Sequence, residues 1–169
     1  DMNAYTSKEE TCIYISIQNQ YLERAIDVLH DIFYNSDFSE QEFNKEREVI
    51  IDEINSYKDT PSELIFDEFE ELFFNNHELA ANILGTEESL QQMNVGDVRD
   101  VYSKRYVSER LIISYVGGVD LDLVLSYIMN YFTASRKNDE CVPLRINFTG
   151  NSLFAKTFKR ETYQTHCML

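Results

Sequence analysis

The chain has 169 residues, 43% of them hydrophobic and 13% aromatic, and a formal net charge of −15. A chain of this length and composition is long enough to bury a core and is not typical of intrinsic disorder. Its 30 acidic residues, against 15 basic ones, repel a phosphate backbone and argue against a nucleic-acid partner. No apolar run in the sequence is long enough to span a membrane.

The first predicted elements are a hairpin and a helix. Residues 11–17 are rich in β-branched and aromatic side chains, which predicts a strand, and residues 3–7 are its predicted hairpin partner. Apolar residues then recur at helical spacing, which predicts a helix over 21–34.

Two capping patterns predict where the next helices begin. Ser39 is followed three residues later by Glu42, the pattern of a capping box, and we expect a helix from Ser39 to about residue 57. Pro61 suits the first position of a third helix, with Thr60 as its N-cap and Glu63 completing a second capping box.

The second half of the chain adds shorter predicted elements. They are helices at 86–93, 95–106 and 121–132, and strands at 111–116, 153–159 and 163–169. Strands on both sides of a run of helices, without regular β–α–β alternation, indicate an α+β fold.

The helix predicted from Ser39 carries acidic residues close to its apolar face. The apolar positions that share this face are Phe43, Ile50, Ile51, Ile54 and Tyr57. Glu46 and Glu53, two helical turns apart, fall within or beside the same stripe. A carboxylate on an apolar face is costly unless it is paired, hydrogen-bonded or bound to metal. The spacing leaves two interpretations open. One is a metal site; the other is that the side chains reach water at the edge of the stripe, or pair with Arg47, Arg99 or another cation.

Several stretches, in this order, resemble the pitrilysin/insulinase and mitochondrial processing peptidase family of zinc metallopeptidases. They are N-A-Y-T-S at 3–7, E-R-E-V-I-I-D-E-I at 46–54 with D-T-P at 59–61, I-L-G-T-E-E at 83–88, Tyr102 and Tyr106, and V-G-G-V-D at 116–120. The ordered set is specific although no single motif decides. It implies the family's metallopeptidase domain, an antiparallel sheet packed by helices on one side, here truncated at the N-terminus.

The resemblance also implies a site. Family members bind zinc through two histidines of an inverted H-x-x-E-H helix and one glutamate far downstream, and Glu53 is the matching position for that glutamate. Glu46 matches an accessory acid near the metal. The family's edge strand, to which a peptide substrate adds as a further strand, matches Asn3, Ala4, Tyr5 and Thr6.

The chain departs from the family in its histidines. His30, His77 and His166 are its only three, and none belongs to an H-x-x-E-H motif. In the family this motif lies upstream of the position of Asp1, so the resemblance predicts a piece of a longer protein, without the two histidine ligands and the general base. We expect zinc in the intact protein, and neither tightly bound zinc nor peptidase activity in this chain alone.

The expected organisation and partners follow from the same resemblance. Residues 1–136 are predicted to form most of the first peptidase-family domain, 137–161 a linker and return strand, and 162–169 the start of a second, related domain. Peptides or unfolded polypeptide segments are the expected substrates. A missing strand exposes a sheet edge, so self-association or a homo- or heterodimer is expected. The alternative is a non-catalytic, peptide-binding or structural subunit of the same family, although carboxylates on an apolar face favour the catalytic branch.

Cysteine and the remaining histidines suggest little chemistry. Three cysteines without C-x-x-C spacing suit reduced thiols in a cytoplasmic protein. Cys167 beside His166 is a poor nucleophile–base pair, because adjacent residues of a strand point to opposite faces. For His77 beside Glu78, a loop position favours a solvated or capping histidine over a metal or acid–base pair.

Overall fold

The computed structural model describes residues 1–133, 147–150, 153–161 and 163–169. This part of the chain holds one two-stranded antiparallel sheet and several helices, which confirms the predicted α+β class. Two compact units are present, and each is built from two separate stretches of chain. The first contains Asp1–Glu40 and Asn94–Val142, and the second contains Gln41–Met93 and Pro143–Leu169.

The helices and strands follow one another in the predicted order. The strands are β1 (Met2–Thr6) and β2 (Thr11–Ile15). The helices are α1 (Leu22–Asn35), α2 (Glu40–Lys58), α3 (Pro61–Phe74), α4 (Glu87–Gln92), α5 (Val95–Arg105) and α6 (Leu121–Tyr131), and short 3₁₀ turns occur at Asn19–Tyr21, Glu78–Ala80 and Ser108–Arg110.

In the first unit, α1 is held by apolar contacts and by two tyrosines. Its buried members include Ala25 and Ile26, and Val124 of α6 is 1% exposed. The Tyr34 hydroxyl is 2.8 Å from the Ser108 Oγ. The Tyr102 hydroxyl donates to the Phe33 carbonyl at 2.8 Å and accepts from the Ser36 N–H at 3.2 Å. The last carbonyls of a helix lack partners within the helix, so this tyrosine stabilises the end of α1.

In the second unit, α3 carries the packing. Phe69 and Phe73 stack with ring centroids 5.7 Å apart. Phe148 packs edge-on against Phe74 at 5.1 Å, and Phe154 lies 6.1 Å from Phe69. The Arg160 guanidinium pairs with both carboxylate oxygens of Glu68. Phe148, Phe154 and Arg160, from the second stretch of this unit, thus contact α3 through two aromatic rings and one ion pair.

Two sequence expectations are wrong. Thr60 does not cap α3 with its side chain; its hydroxyl instead donates to the Ser56 carbonyl at 3.1 Å, although Pro61 does occupy the first turn. The strands predicted at 111–116, 153–159 and 163–169 form no ladder among the described residues. Within 111–116, Ile112 is 88% and Val116 100% exposed. Side-chain composition favours an extended backbone, but a strand also needs a neighbour to bond with.

The predicted domain boundaries stay predictions. Residues 136 and 162, which mark them, lie outside the described residues, as does much of the linker predicted at 137–161.

Among the helices of the described ranges, none combines the length and the apolar character that a membrane crossing requires.

The role of Tyr102 is testable by Tyr102→Phe, which leaves the Ser36 N–H and the Phe33 carbonyl without their hydroxyl partner. We expect the free energy of unfolding to fall by about 1–3 kcal/mol, the cost of unsatisfied, partly buried polar groups. Urea denaturation measures it. Tyr106→Phe is the matched control, because the Tyr106 ring lies 5.0 Å from that of Tyr102. Equal losses in the two variants would contradict the assigned role.

Candidate functional site

Helix α2 presents the two predicted acidic residues, and its burial follows the predicted stripe. Ile54 is 7% exposed. The other predicted apolar positions, Phe43, Ile50, Ile51 and Tyr57, are half-buried. The predicted solvated face, comprising Asn44, Glu48, Asp52 and Asn55, is exposed. The face that α2 turns inward was therefore predicted correctly.

Glu46 and Glu53 lie beside the stripe, and their side chains are exposed. Seven residues separate them, about 10.5 Å along the helix axis, so they stand on one side of α2. Because both reach solvent, the cost of burying a carboxylate does not explain their presence. The expectation that buried carboxylates on an apolar face favour a catalytic role is therefore wrong, because these two carboxylates are not buried.

The cations considered as partners bind elsewhere. Arg47 donates to the Met93 carbonyl at 2.7 Å, and Arg99 donates to the Phe38 carbonyl at 2.6 Å. Within the described part of the chain, neither Glu46 nor Glu53 forms an ion pair or a side-chain hydrogen bond. The oxygens of both carboxylates are thus available to a ligand.

The surroundings of Tyr57, one turn after Glu53, are negative. The pKa of the Tyr57 phenol is raised above its usual value, first by the negative charge of Glu63, then by partial burial and by the charges of Asp67 and Glu53. Three carboxylates thus act on one phenol at the C-terminal half of α2. A field of this sign favours a cation near Tyr57.

Glu53 fits one position of a zinc shell, and the described residues do not complete that shell. Carboxylate oxygen is an accepted zinc ligand, and this carboxylate is exposed and uncommitted. Among residues 1–133, 147–150, 153–161 and 163–169, however, no group of three or more His, Cys, Asp or Glu side chains is arranged to hold a metal ion.

The predicted substrate strand is β1 of the first unit, whereas Glu46 and Glu53 belong to the second. Asp1 and Ser16 exchange two main-chain hydrogen bonds, of 2.8 and 3.0 Å. Pairs alternate along an antiparallel ladder, so Met2, Ala4 and Thr6 direct their N–H and C=O groups away from β2. All five residues of β1 are exposed, and no described strand pairs with this outer edge.

Two side chains of β1 are already engaged. The Asn3 Oδ1 accepts from the Ala4 N–H at 2.8 Å, on the outer edge of the strand. The Tyr5 hydroxyl donates to the Glu10 carboxylate at 3.1 Å. That hydrogen bond is the main cause that raises the pKa of Tyr5 to about 12, and neighbouring Cys12 adds to it.

A cavity of about 320 Å³ opens at the end of α3, apart from the predicted site residues. Its lining includes Asn75, Asn76, His77 and Phe148. The His77 Nδ1 accepts from the Leu79 N–H at 3.1 Å, so this histidine caps a 3₁₀ turn, as the sequence favoured.

The comparison with known families is decisive for membership. Residues 1–87 match the insulinase family, peptidase family M16. The chain belongs to this family. The resemblance inferred from the ordered motifs is therefore confirmed.

Individual relatives agree with this assignment. A protein of Bacillus subtilis named as an uncharacterized zinc protease is 34% identical over 99% of this chain and 40% of its own length. The mitochondrial-processing peptidase subunit beta of Saccharomyces cerevisiae is 30% identical over 85% of this chain and 31% of its own. This chain thus spans about two-fifths or less of these relatives.

A solved structure supports the fold. The crystal structure of a protease from Helicobacter pylori superimposes with a TM-score of 0.80 at 19% identity, covering 89% of this chain and 37% of that one.

Glu10→Ala tests the origin of the Tyr5 shift. The hydrogen bond to Glu10 stabilises the protonated phenol, so in the parent chain Tyr5 stays mostly protonated at about pH 11, below its pKa of about 12. Without Glu10, the pKa falls toward the usual value of about 10, and Tyr5 is mostly ionised at that pH. NMR of ¹³C-tyrosine, assigned with Tyr5→Phe, reports the fraction. Glu9→Ala makes the same charge change without removing this bond; an equal shift there would refute the hydrogen bond as the cause.

Proposed function

We propose that this chain is part of a zinc-dependent endopeptidase that hydrolyses peptides or unfolded segments. The observation that carries the proposal is Glu53, an exposed carboxylate with no ion pair among the described residues, at the position that matches the family's glutamate ligand. Membership of peptidase family M16 and relatives named as zinc proteases support it.

The division of roles on α2 is the one that the family resemblance implies. Glu53 would supply one oxygen ligand, and Glu46, two turns earlier on the same side, would add negative charge beside the metal. Zinc, when bound, polarises a carbonyl and lowers the pKa of a coordinated water. Because the charges of Glu63, Asp67 and Glu53 all act on Tyr57, the C-terminal half of α2 is suited to attract a divalent cation.

The outer edge of β1 is the proposed peptide-binding element. Met2, Ala4 and Thr6 present main-chain donors and acceptors at every second residue, the spacing with which an added strand pairs. Main-chain bonding is insensitive to substrate side chains, which suits a broad range of peptides. An incoming carbonyl has to replace the Asn3 Oδ1 at the Ala4 N–H, so the edge is partly protected in the free chain.

We propose further that tight zinc binding and peptidase activity belong to the full-length protein and not to this chain. Catalytic zinc sites use three protein ligands, and Glu53 with its neighbour Glu46 falls short of that number. The share of about 40% that the chain covers in the relative from Bacillus subtilis leaves room for further ligands.

Glu53→Gln in the full-length protein tests the proposed function. The amide cannot supply an anionic oxygen, so we expect loss of bound zinc and a fall in kcat/KM of more than about 100-fold, larger than changes outside the metal shell cause. Zinc analysis and cleavage of a quenched fluorescent peptide measure it. Glu48→Gln, on the exposed opposite face, is the control and should leave both unchanged. Unchanged activity in Glu53→Gln excludes Glu53 as a ligand, and an inactive, zinc-free parent protein indicates the non-catalytic subunit.

Ala4→Pro tests the peptide edge. Proline removes an N–H that points away from β2, so the hairpin ladder remains intact. We expect KM for a peptide to rise about 3- to 10-fold, the worth of one hydrogen bond, with the melting temperature nearly unchanged. Asn3→Ala is the counterpart, since it removes the competing acceptor and keeps the donor, and KM should stay the same or fall. An unaltered KM in Ala4→Pro would exclude this edge.

A further inference from the structure

Arg47 connects the N-terminal half of α2 to another element. Its Nη2 donates to the Met93 carbonyl at 2.7 Å, across 46 residues of sequence. Met93 is the C-cap residue of α4, at the helix end where carbonyls lack partners within the helix and attract a cation. The guanidinium carbon lies 4.7 Å from the centroid of the Phe43 ring, so the group also packs against the first turn of α2.

One donor of the Arg47 guanidinium is buried without a partner. This donor is the Nε, which has no hydrogen-bond partner among the described residues. A buried donor of this kind costs free energy. A group held in this way calls for an explanation other than the free energy of its own contacts.

The position of Arg47 on α2 supplies that explanation. Arg47 immediately follows Glu46, and the buried Ile54 immediately follows Glu53. Consecutive residues of a helix are about 100° apart around the axis. When the directions of Arg47 and Ile54 are fixed, the directions of the glutamates that precede them are therefore fixed as well. Ile54 anchors the C-terminal half of α2 by burial, and Arg47 anchors the N-terminal half by a directed bond. A helix held at both points cannot rotate about its axis.

We propose that Arg47 is a positioning residue that sets the rotation of α2 and thereby directs Glu46 and Glu53 to one side. The proposal rests on the proposed function for its link to zinc, since it is there that the direction of the two carboxylates matters. Arginine suits this role better than lysine, because its planar group stacks on Phe43 while it donates to a carbonyl.

The experiment compares Arg47→Met with Arg99→Met in the full-length protein. Methionine keeps an apolar stem and removes the donors in both cases. Arg99 is a matched control because it also donates to a backbone carbonyl, that of Phe38, in the other compact unit. Two quantities are measured: amide hydrogen exchange of the metal-free protein, resolved for residues 43–50, and zinc affinity from competition with a chelator.

For Arg47→Met we expect exchange at 43–50 to accelerate and zinc affinity to fall about 10-fold, at the lower end of the losses seen when groups that orient a ligand are removed. KM for a peptide should stay constant while kcat falls, because the β1 edge is untouched. Arg47→Lys, which retains the charge and a donor, should recover part of the zinc affinity. Arg99→Met should leave exchange at 43–50 and zinc affinity unchanged.

Each of the other outcomes contradicts one part of the proposal for Arg47. Unaltered exchange in Arg47→Met shows that Arg47 does not hold α2. Faster exchange with full zinc affinity shows a purely structural role, and equal zinc losses in the two methionine variants show general destabilisation. If the parent binds no zinc, or if Glu53→Gln binds it as tightly as the parent does, the proposed function fails, and the exchange measurement alone decides whether Arg47 fixes α2.

Discussion

Helix α2 buries a narrow stripe, and the direction of every other side chain on it follows from where that stripe lies. Ile54, 7% exposed, is its one buried member, and the remaining apolar positions are half-buried. A face held so lightly has little resistance to rotation from apolar contacts alone. The bond from Arg47 to the end of α4 is therefore important beyond its own free energy, since a rotation by one residue would turn Glu46 and Glu53 through about 100°.

Much of the fold was predictable because the relevant signals are local. The hairpin and all six α-helices found in the described ranges follow from β-branched and aromatic composition, 3.6-residue periodicity and the placement of Pro61 at a helix start. The strands predicted at 111–116 and near the C-terminus were not found among the described residues, since a strand depends on a partner that its own sequence does not reveal. Thr60 shows a smaller limit of the same kind: its hydroxyl can bond backward to Ser56 as well as cap the next helix.

Part of the candidate site was also predictable from the sequence. Periodicity placed Glu46 and Glu53 either within the apolar stripe or beside it. A helical projection is not accurate enough to distinguish these two placements, and in the structure both side chains lie beside the stripe and are exposed. The hydrogen-bond partner of Arg47 could not be predicted from the sequence. Met93 is distant along the chain, and it contributes a main-chain carbonyl, which every residue type has. Family membership, by contrast, was contained in the order of short motifs.

The composition of each compact unit from two stretches of chain has a consequence for how the protein is made. Roughly fifty residues of the second unit are synthesised between the two stretches of the first. The hairpin and α1 are synthesised before α2 to α4, yet Val124, the most buried of the described side chains, is supplied by α6. The core of the first unit therefore cannot form completely until its second stretch has been synthesised, whereas α2 to α4 are available to fold before that. Contacts that close over such long sequence separations form late, so the nascent chain holds exposed apolar surface for much of its synthesis.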